Sequence, residues 1–194
     1  MKKIICAAAG LFLTLFCMHA PAFGYNLNSF GMAYKYSAAG GVSFSGISAD
    51  YQSYNDFYFY KLSGNYNQSS NYIYYTYRGD LGKLIKIHPY DYFKFYGGMG
   101  HTNVEGFDYS FLNAGIADYW YIRRHFRLGL GGYIFMTPLD NFYGNINADG
   151  FKLDVPVNYK VSSHLIIAVK PFYKYINSIN LKIEGIDLGF GYIF

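Results

Sequence analysis

Three side chains around one expected loop, His101, Glu105 and Ser110, are of the types that acyl transfer uses: an imidazole base, an acid to orient it and a hydroxyl nucleophile. Tyr109 stands beside the serine. Their spacing permits a shared site without demanding one, because the base must reach the serine and be held by the third group. Three further histidines, His88, His125 and His164, fall at separate turns with no ligand spacing of a known metal site. They read as solvated turn residues, and neither a metal nor another cofactor is expected. Both cysteines, Cys6 and Cys17, lie in one apolar N-terminal stretch, so the rest of the chain has no thiol nucleophile, disulfide or cysteine metal site.

That stretch sets the compartment. Met1-Lys2-Lys3 is a short basic start, Ile4 to Met18 is apolar apart from Thr14, and Ala20-Pro21-Ala22 supplies a small-x-small cleavage pattern. The apolar run is shorter than the ~20 residues of a spanning helix. A cleaved signal peptide over 1–22 and one exported domain over 23–194 are expected. Phe16 stands where lipoprotein processing would want a small residue before Cys17, which argues against lipidation.

An exported domain without disulfides needs another device to hold it, and a sheet closed on itself inside a membrane is one. The composition agrees. Aromatics make up 22% of the residues, with 24 Tyr and 18 Phe against one Trp, while only 14% are charged. A soluble domain carries closer to a quarter charged residues. Excess Tyr and Phe suits the aromatic girdles of a membrane-spanning barrel.

The strands read by a period of two. Phe151 to Lys160 alternates without a miss, its odd positions apolar and its even ones Lys, Asp, Pro, Asn and Lys. Leu165, Ile167, Val169, Pro171, Tyr173 and Tyr175 form the next apolar row. Phe126, Leu128, Leu130, Gly132, Ile134 and Met136 form another, opposed by Arg127, Gly129 and Gly131. Upstream, Phe107, Tyr109, Phe111, Ala117, Tyr119 and Tyr121 are read as a lipid-facing row with aromatics at both ends. Ile73, Tyr75, Tyr77 and Leu81 oppose Thr76, Arg78 and Asp80, and Phe30, Met32, Tyr34 and Tyr36 oppose Ala33 and Lys35. Val42 to Tyr60 is the least legible stretch.

Strands are expected to begin near residues 29, 41, 56, 71, 90, 106, 125, 148, 163 and 180. The reading is an all-β, antiparallel up-and-down transmembrane β-barrel. Ten strands are favoured over eight, because only two strands in the 57 residues Tyr25–Leu81 would require long loops. Ten strands of about ten residues, tilted by ~40°, span the ~25 Å apolar band of an outer membrane. An even count leaves both termini on one side. Ile122–His125 and Val161–His164 are then short turns at that end, with exterior loops at Ser63–Ser70, Gly100–Gly106 and Thr137–Asp149.

The same alternation assigns an inner face. Lys35, Lys61, Arg78, Lys94, Arg127, Lys152, Lys160, Lys170 and Lys174 point inward against Asp80, Asp118, Asp154 and Asp187. Nine cations against four carboxylates make a basic lumen. Two outcomes follow: a narrow passage or binding site for small anionic solutes, or a closed interior in which charges pair and side chains fill the bore.

The final strand alternates Ile186, Leu188, Phe190, Tyr192 and Phe194 with Asp187, Gly189, Gly191 and Ile193. With this pattern, Gly189-x-x-Tyr192-x-Phe194 above all, the chain resembles the small bacterial outer-membrane β-barrels of the OmpA, OmpX and opacity-protein type. The resemblance implies a Gram-negative outer-membrane location. It also implies that periplasmic chaperones and the barrel-assembly machinery handle the chain, reading Ile186, Leu188, Phe190, Tyr192 and Phe194 as an assembly signal. It further implies a monomer in contact with outer-membrane lipid and lipopolysaccharide, and not with nucleic acid. It does not imply an activity, since the scaffold hosts adhesins, enzymes and inert barrels. Deacylase-like barrels carry His and Ser two apart on one strand and palmitoyltransferase barrels an Asp-Ser pair, and neither occurs here. The expectation is a non-enzymatic structural barrel or narrow pore. Surface adhesion through exposed aromatics near Phe142 and Tyr143 is one alternative, and a lipid A-modifying enzyme the other.

Overall fold

The computed structural model describes residues 27–194 except 56–57, 89–90, 105–106, 124 and 138–147. The expected signal peptide, Glu105 and the aromatic loop around Phe142 therefore lie outside the described residues. The elements are β1 (Leu27–Ala39), β2 (Val42–Tyr54), β3 (Tyr58–Gln68), β4 (Ile73–His88), β5 (Asp91–Val104) and β6 (Phe107–Arg123). They continue with β7 (Phe126–Met136), β8 (Asp149–Asp154), β9 (Val157–Lys160), β10 (Leu165–Ile176) and β11 (Leu181–Ile193).

Each strand pairs antiparallel with the next, and β11 pairs with β1, so the sheet closes. Asn28 and Phe194 complete the seam, each N–H donating to the other's carbonyl at 3.2 and 2.9 Å. β8 and β9 are two halves of one strand, both lying between β7 and β10. The interruption falls at Pro156, whose ring nitrogen cannot donate. Its carbonyl still accepts from Gly129 N–H at 2.8 Å, and Val155 N–H reaches Pro171 O at 3.0 Å. The barrel thus has ten strands, with no edge left to pair.

The ends differ. Ala39 pairs with Val42 across Gly40-Gly41, whose φ values of 55° and 82° suit the primed two-residue hairpin turn that glycine makes without strain. This turn shares an end with Ser69–Tyr72 and with the 3-10 turn Asn177–Ile179; Leu27, Phe194 and Val161–His164 share the other. Two of the expected exterior loops shrink accordingly. Ser63 to Gln68 belongs to β3 and Gly100 to Val104 to β5, because polar residues there pair on the strand ladders.

Alternation sorts the side chains by solvent. Outside, Leu81 and Met99 are 71% and 68% exposed, and Ile47, Ile116, Leu130, Ile134, Leu153, Ile167 and Phe190 join them in an apolar coat. Such a surface is stable against lipid rather than water. Inside, Phe111 and Phe135 are each 3% exposed.

One strand faces opposite to the expected way. Ala117 on β6 pairs with Lys94 and Gly131, both on the inner face, and Tyr109, Phe111 and Ala117 are buried. The odd row Tyr109, Phe111, Ala117, Tyr119 and Tyr121 therefore lines the lumen. The outer row is Ser110, Leu112, Ala114, Ile116, Asp118, Trp120 and Ile122. Both rows carry large apolar residues, so alternation alone did not separate them. Packing decided, since the lumen needed the rings.

Candidate functional site

The lumen divides into three levels. Near the loop end, Tyr109, Phe111, Phe135, Ala148 and Ile176 form a buried cluster, with Tyr133, Leu181 and Ile183 packed against it. Phe111 and Phe135 meet edge to face at 5.7 Å between ring centroids. On the facing wall Phe44 meets Tyr74 at 5.4 Å. Lys174 reaches down among these rings, its Nζ 3.4 Å from the Tyr109 hydroxyl and 4.9 Å from the Phe135 centroid.

Beneath lies a belt of charge. Asp187 is shared by two lysines, Lys35 Nζ at 3.6 Å from Oδ1 and Lys170 Nζ at 3.3 Å from Oδ2. Arg78 Nε lies 2.9 Å from Asp80 Oδ2, and the guanidinium rests 4.5 Å from the Tyr133 centroid. Asn113 donates to Asp80 Oδ1 at 2.8 Å. Lys61 pairs with Asp50 at 3.1 Å. Lys152, which sits beside Lys174 on the ladder, lies over the Phe172 ring at 4.6 Å. Buried charges in such a belt hold their places by pairing and by cation–π contact.

Toward the terminal end the lumen opens into a cavity of about 570 Å³. Its wall includes Tyr54, Tyr92, Tyr119 and Tyr121 together with Lys61, Lys94, Arg127 and Lys170 and the carboxylates Asp50 and Asp187. Lys94 Nζ donates to the Tyr54 hydroxyl at 2.7 Å and sits within 4.5 to 5.6 Å of the Tyr54, Phe59, Tyr92 and Tyr119 rings. The Tyr54 hydroxyl also meets Gln52. Arg127 donates to the Tyr92 hydroxyl at 2.8 Å, and its guanidinium lies 5.0 Å from the Tyr119 centroid. Among the described residues, neither Lys94 nor Arg127 has a carboxylate within ion-pair distance.

Most residues assigned inward from sequence are here: Lys35, Lys61, Arg78, Asp80, Lys94, Arg127, Lys152, Asp154, Lys160, Lys170, Lys174 and Asp187 all have inner-face parity. Asp118 does not. It pairs with Phe93 and Leu130 on the outer face, because the whole of β6 is flipped relative to the sequence reading. Asp50 was missed and is inner, directly opposite Gly31. The exchange leaves the tally of inward carboxylates where it was.

The acyl-transfer constellation comes apart. His101 Nδ1 and Ser110 Oγ are 3.1 Å apart, but on the outer face, where His101 pairs with Tyr77. Tyr109 points the other way, into the lumen cluster. Among the described residues the imidazole has no carboxylate partner. His125 and His164 pack on Tyr159 and Tyr192 with centroids 6.4 and 5.8 Å apart.

No protein-family model matches the chain, and no curated protein matches it in sequence. Solved structures do resemble it. An outer-membrane channel from Pseudomonas putida F1 superposes with a TM-score of 0.58 at 8% identity, over 89% of this chain and 97% of that one. Ail, the attachment invasion locus protein of Yersinia pestis, gives 0.45 at 14% identity, over 88% and 100%. Neisserial surface protein A gives 0.40 at 12%, over 87% and 97%. The first of these likenesses shows the fold, that of an outer-membrane β-barrel, and at such identity it shows no more.

Proposed function

We propose that this chain is a non-enzymatic, monomeric β-barrel of the Gram-negative outer membrane whose lumen binds small anionic solutes. The apolar outer coat and the closed sheet support a lipid environment. The signal pattern and the alternating residues of β11 support export and assembly into that membrane.

One observation carries the choice of solute. Lys94 and Arg127 line the terminal-side cavity without a carboxylate at ion-pair distance among the described residues, whereas the two carboxylates that share its wall, Asp50 and Asp187, are each engaged by lysine. Ring contacts and phenolic hydroxyls hold both cations in place without supplying a counter-charge. Cations left beside a cavity supply a site for an anion. With the rings above, the lumen reads as a pocket open to the periplasmic end rather than a through-pore. A surface-adhesion role would rest on the loop around Phe142, outside the described residues; the turns Gly40–Gly41, Ser69–Tyr72 and Asn177–Asn180 offer little surface.

Calorimetric titration of the purified barrel in detergent micelles with acetate, phosphate and benzoate, with choline as the cationic control, tests this reading. Binding of at least one anion, with choline silent, is expected. Equal response to choline, or no anion binding, would overturn it.

A further inference from the structure

The terminal-side cavity has two kinds of wall. One is charged: Lys94 and Arg127, beside the ion pairs Lys61–Asp50 and Lys170–Asp187. The other is flat and apolar: Tyr54, Tyr92, Tyr119, Tyr121, Leu84 and Pro156. The two are interleaved. Tyr92 and Tyr119 stack with centroids 5.1 Å apart, and both lie within reach of Lys94. Tyr119 also carries the Arg127 guanidinium at 5.0 Å.

An inorganic anion would satisfy only the first wall. It would have to give up hydration beside ring surfaces that offer it little in return. A carboxylate on a flat apolar body satisfies both. Its oxygens meet Lys94 or the planar fork of Arg127, whose geometry suits two parallel hydrogen bonds to a carboxylate. Its body covers the tyrosine rings, which stack with aromatic partners in offset or edge-to-face arrangements. A cavity of about 570 Å³ is within the range of small-molecule sites, and ample for a single-ring acid.

We propose that the lumen site selects aromatic carboxylates, with Arg127 and Lys94 holding the carboxylate and Tyr92, Tyr119 and Tyr121 holding the ring. This rests on the reading of the lumen as an anion site and narrows it to one chemical class. The phenolic hydroxyls of Tyr54 and Tyr92 fix the two cations in place, so the charges are oriented before a ligand arrives.

The test is calorimetric titration of the purified full-length barrel in micelles with benzoate, acetate and inorganic phosphate, each corrected against empty micelles. Benzoate is expected to bind at least about tenfold tighter than acetate or phosphate, a difference of ~1.4 kcal/mol. Arg127→Gln should reduce benzoate affinity about tenfold or more, and Arg127→Lys, which keeps the charge but loses the fork, should fall between. Intact barrel is checked for each variant by its heat-dependent shift in gel mobility. If acetate and phosphate bind as well as benzoate, the aromatic selectivity is overturned while the anion-binding lumen stands. If no anion binds, both fall. Unchanged benzoate affinity in Arg127→Gln would overturn the placement of the site.

Discussion

Lys170 and Asp187 face each other directly on the β10–β11 ladder, and their side chains meet at 3.3 Å inside the barrel. The same carboxylate takes Lys35 from β1, so one acid ties three adjacent strands across the closing seam. Removing it leaves the buried Lys35 and the half-buried Lys170 beside Lys152 with their partner gone. Asp187→Asn should therefore destabilise the barrel by about 3 kcal/mol, as breaking one side of a buried ion pair does. Urea unfolding in micelles measures this. An unchanged midpoint would mean that the seam does not depend on the acid.

Close approach of backbone and belt makes a second prediction. A Cβ at Gly98 would lie 2.1 Å from Gly79 O and 2.6 Å from Asp80 Oδ1, whereas one at the adjacent, outward Gly97 meets nothing nearer than 3.5 Å. Gly98→Val should cost about 1–3 kcal/mol by overpacking and disturb the Arg78–Asp80 pair. Gly97→Val should be close to neutral. The same urea titration compares them, and equal effects would remove the explanation.

How these positions were legible differs from strand to strand. Strand starts were read to within two residues, because turn residues and apolar alternation agree over most of the chain; the observed β1, β5, β6, β7 and β11 begin at Leu27, Asp91, Phe107, Phe126 and Leu181. Facing was legible wherever one row is polar, as in Phe151 to Lys160. It failed on β6, where Tyr109 and Phe111 alternate with Leu112 and Ile116, and Asp118 went out with that error. Asp50 escaped notice because Ser43 and Ser45 put small polar residues on the outer face of β2, hiding the period. The ring cage around Lys94 was illegible in principle. Its Tyr54, Phe59, Tyr92 and Tyr119 come from four strands that only barrel closure and register bring together.

The alternating residues of β11 make a third prediction, separating assembly from stability. Phe194 stacks beside Tyr192 with centroids 6.3 Å apart, and its backbone closes the seam with Asn28. Phe194→Ser keeps those backbone bonds while removing the ring. If the ring belongs to a sequence read by the assembly machinery, insertion in cells should fall several-fold while refolding from urea into micelles proceeds as in wild type. A matching loss in both measurements would make the residue a packing element only.

The lumen's two halves give the most direct test of the account as a whole. Phe111 and Phe135 pack together near the loop end, and the cavity lined by Lys94 and Arg127 lies toward the terminal end. In planar lipid bilayers the wild-type barrel should show no steady conductance. Phe111→Ala combined with Phe135→Ala should open it, with a reversal potential under a KCl gradient that favours chloride over potassium. A steady open channel in wild type would contradict the proposed closed pocket, and a potassium preference in the opened variant would contradict the proposed anion-binding lumen.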